Sequence, residues 1–154
     1  MKWDLEERTE DAIVSYLRAA VTGDMRVYAA WDVEEPEMPC AMVHAESSEP
    51  VSDESEWYDY RAIDVKVAVM CEAVSAVDSS GVIVRTPRDV ARAIRSDVMD
   101  AIGVSDLKAQ IIAQEIDDIA FSMVQLMGVE RGVDGRTFVS TFSISVIAEP
   151  VTGS

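Results

Sequence analysis

YRAIDVKVAVMCEAV, residues Tyr60–Val74, alternates with a period of two. Ile63, Val65, Val67, Val69 and Cys71 fall on one side, with Asp64, Lys66, Ala68, Met70 and Glu72 on the other. Successive side chains of a strand point to opposite faces, so these sets line the two sides of a pleated ribbon. The first set is β-branched almost throughout, which suits a half-buried sheet surface. RTFVSTFSISVIA, Arg136–Ala148, is similar in length and character. We read the two as long antiparallel neighbours in one sheet. The fold class that follows is α+β: a mainly antiparallel sheet with a long C-terminal hairpin and helices packed on one face.

Outward from this frame, residues 4–22 predict an amphipathic helix. Leu5, Thr9, Ala12, Ile13, Tyr16, Leu17, Ala20 and Val21 recur at helical spacing, while Glu6, Glu7, Glu10 and Arg18 fall mostly outside it. Gly23 is the expected stop. Met25–Trp31 reads as a short strand with Val27, Ala29 and Trp31 on one face. The segment 32–39 reads as a loop because Pro36 and Pro39 lack backbone donors and its charges resist burial. Cys40–Ala45 is a second strand, and 46–59 a long polar loop or hairpin excursion.

Beyond the central strand, 74–85 reads as a connector. Thr86-Pro87-Arg88-Asp89 then opens a helix, with Thr86 as N-cap, Pro87 in the first turn and Asp89 favoured by the dipole. Gly103 ends it. Val90, Ile94, Val98 and Ala101 make its apolar stripe, and Arg88, Arg92 and Arg95 share the far side with Met99. Ser105 is positioned to cap a shorter helix carrying Leu107 and Ile111. Residues 119–130 alternate again, with Ile119, Phe121, Met123, Gln125 and Met127 on one side. Gly132–Gly135 is the expected turn into the last strand. The chain reads as one domain over 1–149, with a polar, frayed tail at 150–154.

The composition restricts function more than it assigns it. The chain has 154 residues and a formal charge of −16. Between Arg26 and Arg61 there is no Lys or Arg, while Asp32, Glu34, Glu35, Glu37, Glu46, Glu49, Asp53, Glu54, Glu56 and Asp59 all fall there. Such a balance opposes binding to phosphate backbones and to anionic lipid, and no apolar run is long enough to span a bilayer. Cys40 and Cys71 read as buried thiols rather than a disulfide or metal pair, since His44 is the only histidine.

No phosphate-cradling glycine loop, dinucleotide fingerprint, serine elbow or metal-ligand spacing occurs. The Asp53–Asp59 stretch lacks the turn glycine and terminal glutamate of a calcium loop. Asp117 and Asp118 would point to opposite faces of a strand, and His44 has no partner at a telling spacing. The expectation is a protein without catalytic, metal-binding or cofactor-binding residues, and not an enzyme.

Four phrases carry a resemblance. They are Val27-Tyr28-Ala29-Ala30-Trp31-Asp32, Pro39-Cys40-Ala41-Met42-Val43-His44-Ala45-Glu46, Met127-Gly128-Val129-Glu130-Arg131, and Gly135-Arg136-Thr137-Phe138-Val139-Ser140-Thr141. In this element order they resemble the tail terminator (tail completion, head–tail joining) proteins of long-tailed bacteriophages, over most of the chain. The resemblance implies a virion protein of the neck, assembled in the host cytoplasm as a homo-oligomeric ring, a hexamer. Such a ring caps the tail tube, ends its growth and meets the head connector. The 46–59 stretch is not placed by that pattern. Another neck or tail-tube component, or a small non-viral α+β binding protein, are the other classes these residues allow.

A cyclic ring needs heterologous contacts, one patch meeting a different patch on the neighbour. The expected pair is the arginine edge, Arg88, Arg92 and Arg95 beside Met99, against the acidic stretches. Those contribute Glu34, Glu35 and Glu37 from one loop and Asp53, Glu54 and Glu56 from the other, with Trp57 and Tyr58 adding apolar anchoring. DNA passing through such a ring would meet an acidic, non-adhesive wall.

Overall fold

The computed structural model describes residues 5–21, 25–50, 61–114, 116 and 118–151, with 47–50 as backbone alone. The order is α1 (Leu5–Ala20), β1 (Arg26–Ala29), β2 (Cys40–Pro50), β3 (Arg61–Glu72), β4 (Ala76–Val77), β5 (Ile83–Arg85), α2 (Pro87–Ile102), α3 (Leu107–Ile112), β6 (Ile119–Asp134) and β7 (Thr137–Pro150). The large sheet runs β1-β2-β3-β7-β6, and β4 and β5 make a separate hairpin. Only β1 against β2 is parallel within the large sheet.

The central pair forms as its alternation requires. Val65 faces Ile144 and Val67 faces Phe142 in an unbroken antiparallel ladder from Arg61–Ala148 to Glu72–Thr137. Ile63, Val65, Val67, Val69 and Cys71 are all buried, as are Phe142, Ile144, Val146 and Ala148. On this face α1 contributes Leu5, Ala12, Ile13, Tyr16 and Leu17, α2 contributes Val98, Ala101 and Ile102, and α3 contributes Leu107 and Ile111. Polar bonds fix the helices in place. The Tyr16 hydroxyl donates to Ala101 O (2.5 Å), Ser15 Oγ donates to Gln114 Oε1 (2.8 Å), and the Arg18 guanidinium donates twice to Val27 O (3.1 and 2.9 Å).

The cap of α2 is as expected: Thr86 Oγ1 accepts from Asp89 N at 3.2 Å, and Gly103 N donates to Met99 O where the helix ends. Several local expectations do not survive folding. Ser105 does not cap α3, whose N-cap position is Asp106. β2 runs on through Glu46–Pro50 instead of opening into a loop at Glu46, because a bulge between Ala45 and Ser47 keeps it paired with β3. β7 likewise carries Glu149 and Pro150, and Val151 N donates to Asp118 O.

The strand β6 differs most. It reaches Asp134, so the turn is the two-residue Gly135-Arg136, with Gly135 at the positive φ (61°) that glycine adopts without strain. Bulges between Phe121 and Met123 and between Leu126 and Gly128 each insert a residue. A one-residue insertion moves later side chains to the other face. Val124 is therefore buried with Ile119 and Phe121, while Gln125 and Met127, expected beside them, are exposed.

Candidate functional site

Four of the chain's basic residues, Arg88, Arg92, Arg95 and Arg131, line one groove near the β6 edge of the sheet. α2 carries Arg88, Arg92 and Arg95 at spacings of four and three, hence along one side of the helix. The β6–β7 hairpin lies opposite. Arg131 is in register with Ser140, and Val133 with Phe138. Between helix and hairpin runs a groove of about 500 Å³, lined by Arg88, Arg92, Arg95, Arg131, Val133 and Phe138. Arg92 lies 3.7 Å from Asp89, an exposed contact that contributes little. Among the described residues no ion pair engages Arg88, Arg95 or Arg131. Four guanidiniums over an apolar floor can hold carboxylates by their forks and an aromatic ring by its face.

The arginine edge was legible in the helical spacing, but Arg131 was not. It joins only because β7 and β6 pair in turn alongside β3, the strand on which α2 packs. Met99 departs from expectation: it is half-buried and packs against the core rather than standing beside the arginines as an exposed anchor. Val90 and Ile94, expected in the buried stripe, are only half-covered, because they lie on the part of α2 that borders the groove.

The opposite edge is acidic. Trp31 does not continue the face of Val27 and Ala29, since β1 ends at Ala29 and Trp31 takes φ 71°. Its side chain is 90% exposed, propped edge-on against His44 with ring centroids 6.5 Å apart. Around it is a cleft of about 420 Å³ lined by Glu7, Glu10, Asp11, Ala30, Asp32 and His44. Glu34, Glu35 and Glu37 follow, all exposed, and Glu37 pairs with Arg26 at 2.8 Å. Asp53, Glu54, Glu56, Trp57 and Tyr58 lie outside the described residues.

Glu10 was expected on the solvent side of α1 and is instead buried. Its Oε1 accepts from Ala45 N at 3.0 Å, supplying an acceptor where β1 has ended and the edge of β2 is unpaired. Burial pushes its carboxyl above the usual range, opposed by the Ala45 N–H and by His44, whose Nδ1 is 3.7 Å away. No local spacing links Glu10 with His44, so sequence reading had no means of pairing them. Burial also raises the thiols of Cys40 and Cys71, both free and buried. Among the described residues no three His, Cys, Asp or Glu side chains are grouped to hold a metal, and no helix is long and apolar enough to cross a membrane.

No family model matches the chain, and no curated protein matches it significantly. A third surface is prominent. The β4–β5 hairpin leaves Val77, Val82, Ile83 and Val84 exposed, with Val74 beside it. Its turn is braced by Asp78 Oδ1, which accepts from Ser80 N and Val82 N at 2.9 Å each. These backbone bonds, Val82's first, hold the Asp78 carboxyl below its usual range. Expected as a connector, 74–85 is a braced apolar arm leading through Arg85 directly into the arginine-bearing end of α2.

Proposed function

We propose that this protein is a structural subunit that assembles head to tail into a closed ring, and that it serves a long-tailed phage as its tail terminator. The observation that carries the reading is the separation of opposite charge to opposite sheet edges. Head-to-tail closure requires two different, complementary patches on each subunit. Here the acidic patch follows β1 and the basic groove borders β6, the two outermost strands. The resemblance of the four quoted phrases to tail terminators supports the finer part: a hexamer that caps the tail tube, stops its growth and presents a face to the head connector. The apolar β4–β5 arm suits a contact with one of those neighbours. A net charge of −16 keeps DNA in transit from adhering to the ring.

Native mass spectrometry of the purified chain, over a range of concentrations, tests the assembly. A single closed oligomer is expected, and a chain that stays monomeric at its highest soluble concentration overturns the ring. Adding the ring to tail-tube protein polymerising in vitro tests the role. Tubes should stop growing and carry the ring at one end in electron micrographs. A ring that binds along the tube, or only the connector, identifies a different neck component.

A further inference from the structure

Resting on the ring reading, we propose that Trp31 and the acids around it form a knob that enters the arginine groove of the next subunit. Trp31 is a large aromatic held almost entirely in water, at a positive φ and braced by His44, so it is presented rather than folded away. Tryptophan is enriched in the small set of residues that carry interface energy, which makes one so exposed on a folded surface informative. The cleft is lined by four acidic side chains, Glu7, Glu10, Asp11 and Asp32, and by no Lys or Arg.

The groove has the converse character. Val133 and Phe138 give it an apolar wall, Arg88, Arg95 and Arg131 have no ion-pair partner among the described residues, and its volume of about 500 Å³ is ample for an indole. An arginine face stacked on indole adds cation–π attraction that an aliphatic floor lacks, and its planar guanidinium stacks flat where a lysine ammonium does not.

Placement completes the match. The cross-sheet row Val27–Ala41–Val69–Ser140–Arg131 leads from β1 to the groove, and Trp31 stands just past the end of β1. The two features are thus four inter-strand spacings apart, about 19 Å at roughly 4.8 Å each. Trp31 meets His44, whose row through Lys66, Ser143 and Gly128 lies three residues along the strands from the Arg131 row, an offset of roughly 10 Å. A second copy placed edge to edge and shifted along the strands by that offset brings its knob to the groove, while the first copy's own knob stays free for a third subunit.

Mixing two defective variants tests this pairing. Trp31→Ala keeps the groove and loses the knob, whereas Arg92→Glu/Arg131→Glu keeps the knob and reverses the groove. All the altered side chains lie on the surface, and circular dichroism and thermal melting confirm that each variant folds. Each alone should need at least tenfold more protein to assemble than the wild type. Trp31→Phe should recover part of the loss. Mixed in equal amounts, the variants retain one intact interface per pair and should give dimers containing one of each, without rings. If either variant forms rings like the wild type at low and at high salt, the knob-and-groove contact is wrong while the ring stands. If both variants lose assembly and no mixed dimer appears, the two surfaces matter but do not meet, which also overturns the proposal. A monomeric wild type overturns the ring reading and this contact with it.

Discussion

The helix-bearing face of the sheet has two halves built from the same alternating pattern and finished differently. In one, the row Ala29–Val43–Val67–Phe142 lies under the helices, and Val43, Val67 and Phe142 have no exposed surface. In the other, the rows continue to Ser140 with Arg131 and to Phe138 with Val133, where Val133 is 64% exposed. The same helix, α2, spans both. Its C-terminal Val98, Ala101 and Ile102 are buried, and its N-terminal half stands over the groove. Alternation in a strand therefore announces a face without announcing how deeply that face is buried. Depth depends on what the rest of the chain places above it, and here one half is finished within the subunit and the other is left for a partner.

The sharpest way to break this contrast is to truncate one side chain in each half and measure urea unfolding of the monomer. Phe142→Ala, in the covered half, should cost about 3–5 kcal/mol, from lost transfer energy and the cavity left behind. Val67→Ala beside it should cost on the order of 1–3 kcal/mol. A loss below about 0.5 kcal/mol at Val67 would mean that the register is displaced by one residue.

Glu10 tests the polar seam at the margin of the covered half. Removing the acceptor altogether, Glu10→Ala, should cost about 1–3 kcal/mol by leaving the Ala45 N–H unsatisfied. The pH dependence has a defined sign. Because the folded-state pKa is raised, folding takes up a proton. The associated stability is complete below the unfolded value near 4.5 and is lost as pH rises through the folded pKa. Glu10→Gln keeps an acceptor oxygen without the charge, so its stability relative to the wild type should grow as pH rises from 4.5 to neutrality. A difference that stays constant over that range would place the carboxylate in water.

The smallest effect belongs to the open half. Val133→Ala should change monomer stability by no more than about 0.5 kcal/mol, as expected for an exposed site, and should matter only to assembly. A monomer loss comparable with that of Val67→Ala would show that the groove closes within one subunit.

Much of the fold was legible because its signals are local. The β-branched alternation of Ile63–Cys71 and of the last strand, the helical spacing of Leu5–Leu17, and the Thr86-Pro87-Asp89 cap each depend on residues within a few positions of one another. Neighbours at those distances share a face or a turn whatever the rest of the chain does, so the sequence by itself determined an α+β sheet, its central antiparallel pair and the arginine edge of α2. Tertiary structure alone decided what depends on a partner far along the chain. A bulge in β6 is a mismatch against β7, so the phase that exposes Gln125 and Met127 cannot be read from β6 alone. Glu10 is buried because β1 ends and leaves Ala45 N without a strand. Arg131 comes near the α2 arginines because β6 pairs with β7 beside β3, on which α2 packs, and Trp31 is exposed because the backbone turns at the end of β1. Periodicity encodes which way a side chain points, whereas burial and charge pairing depend on what arrives opposite it, and only the folded chain supplies that.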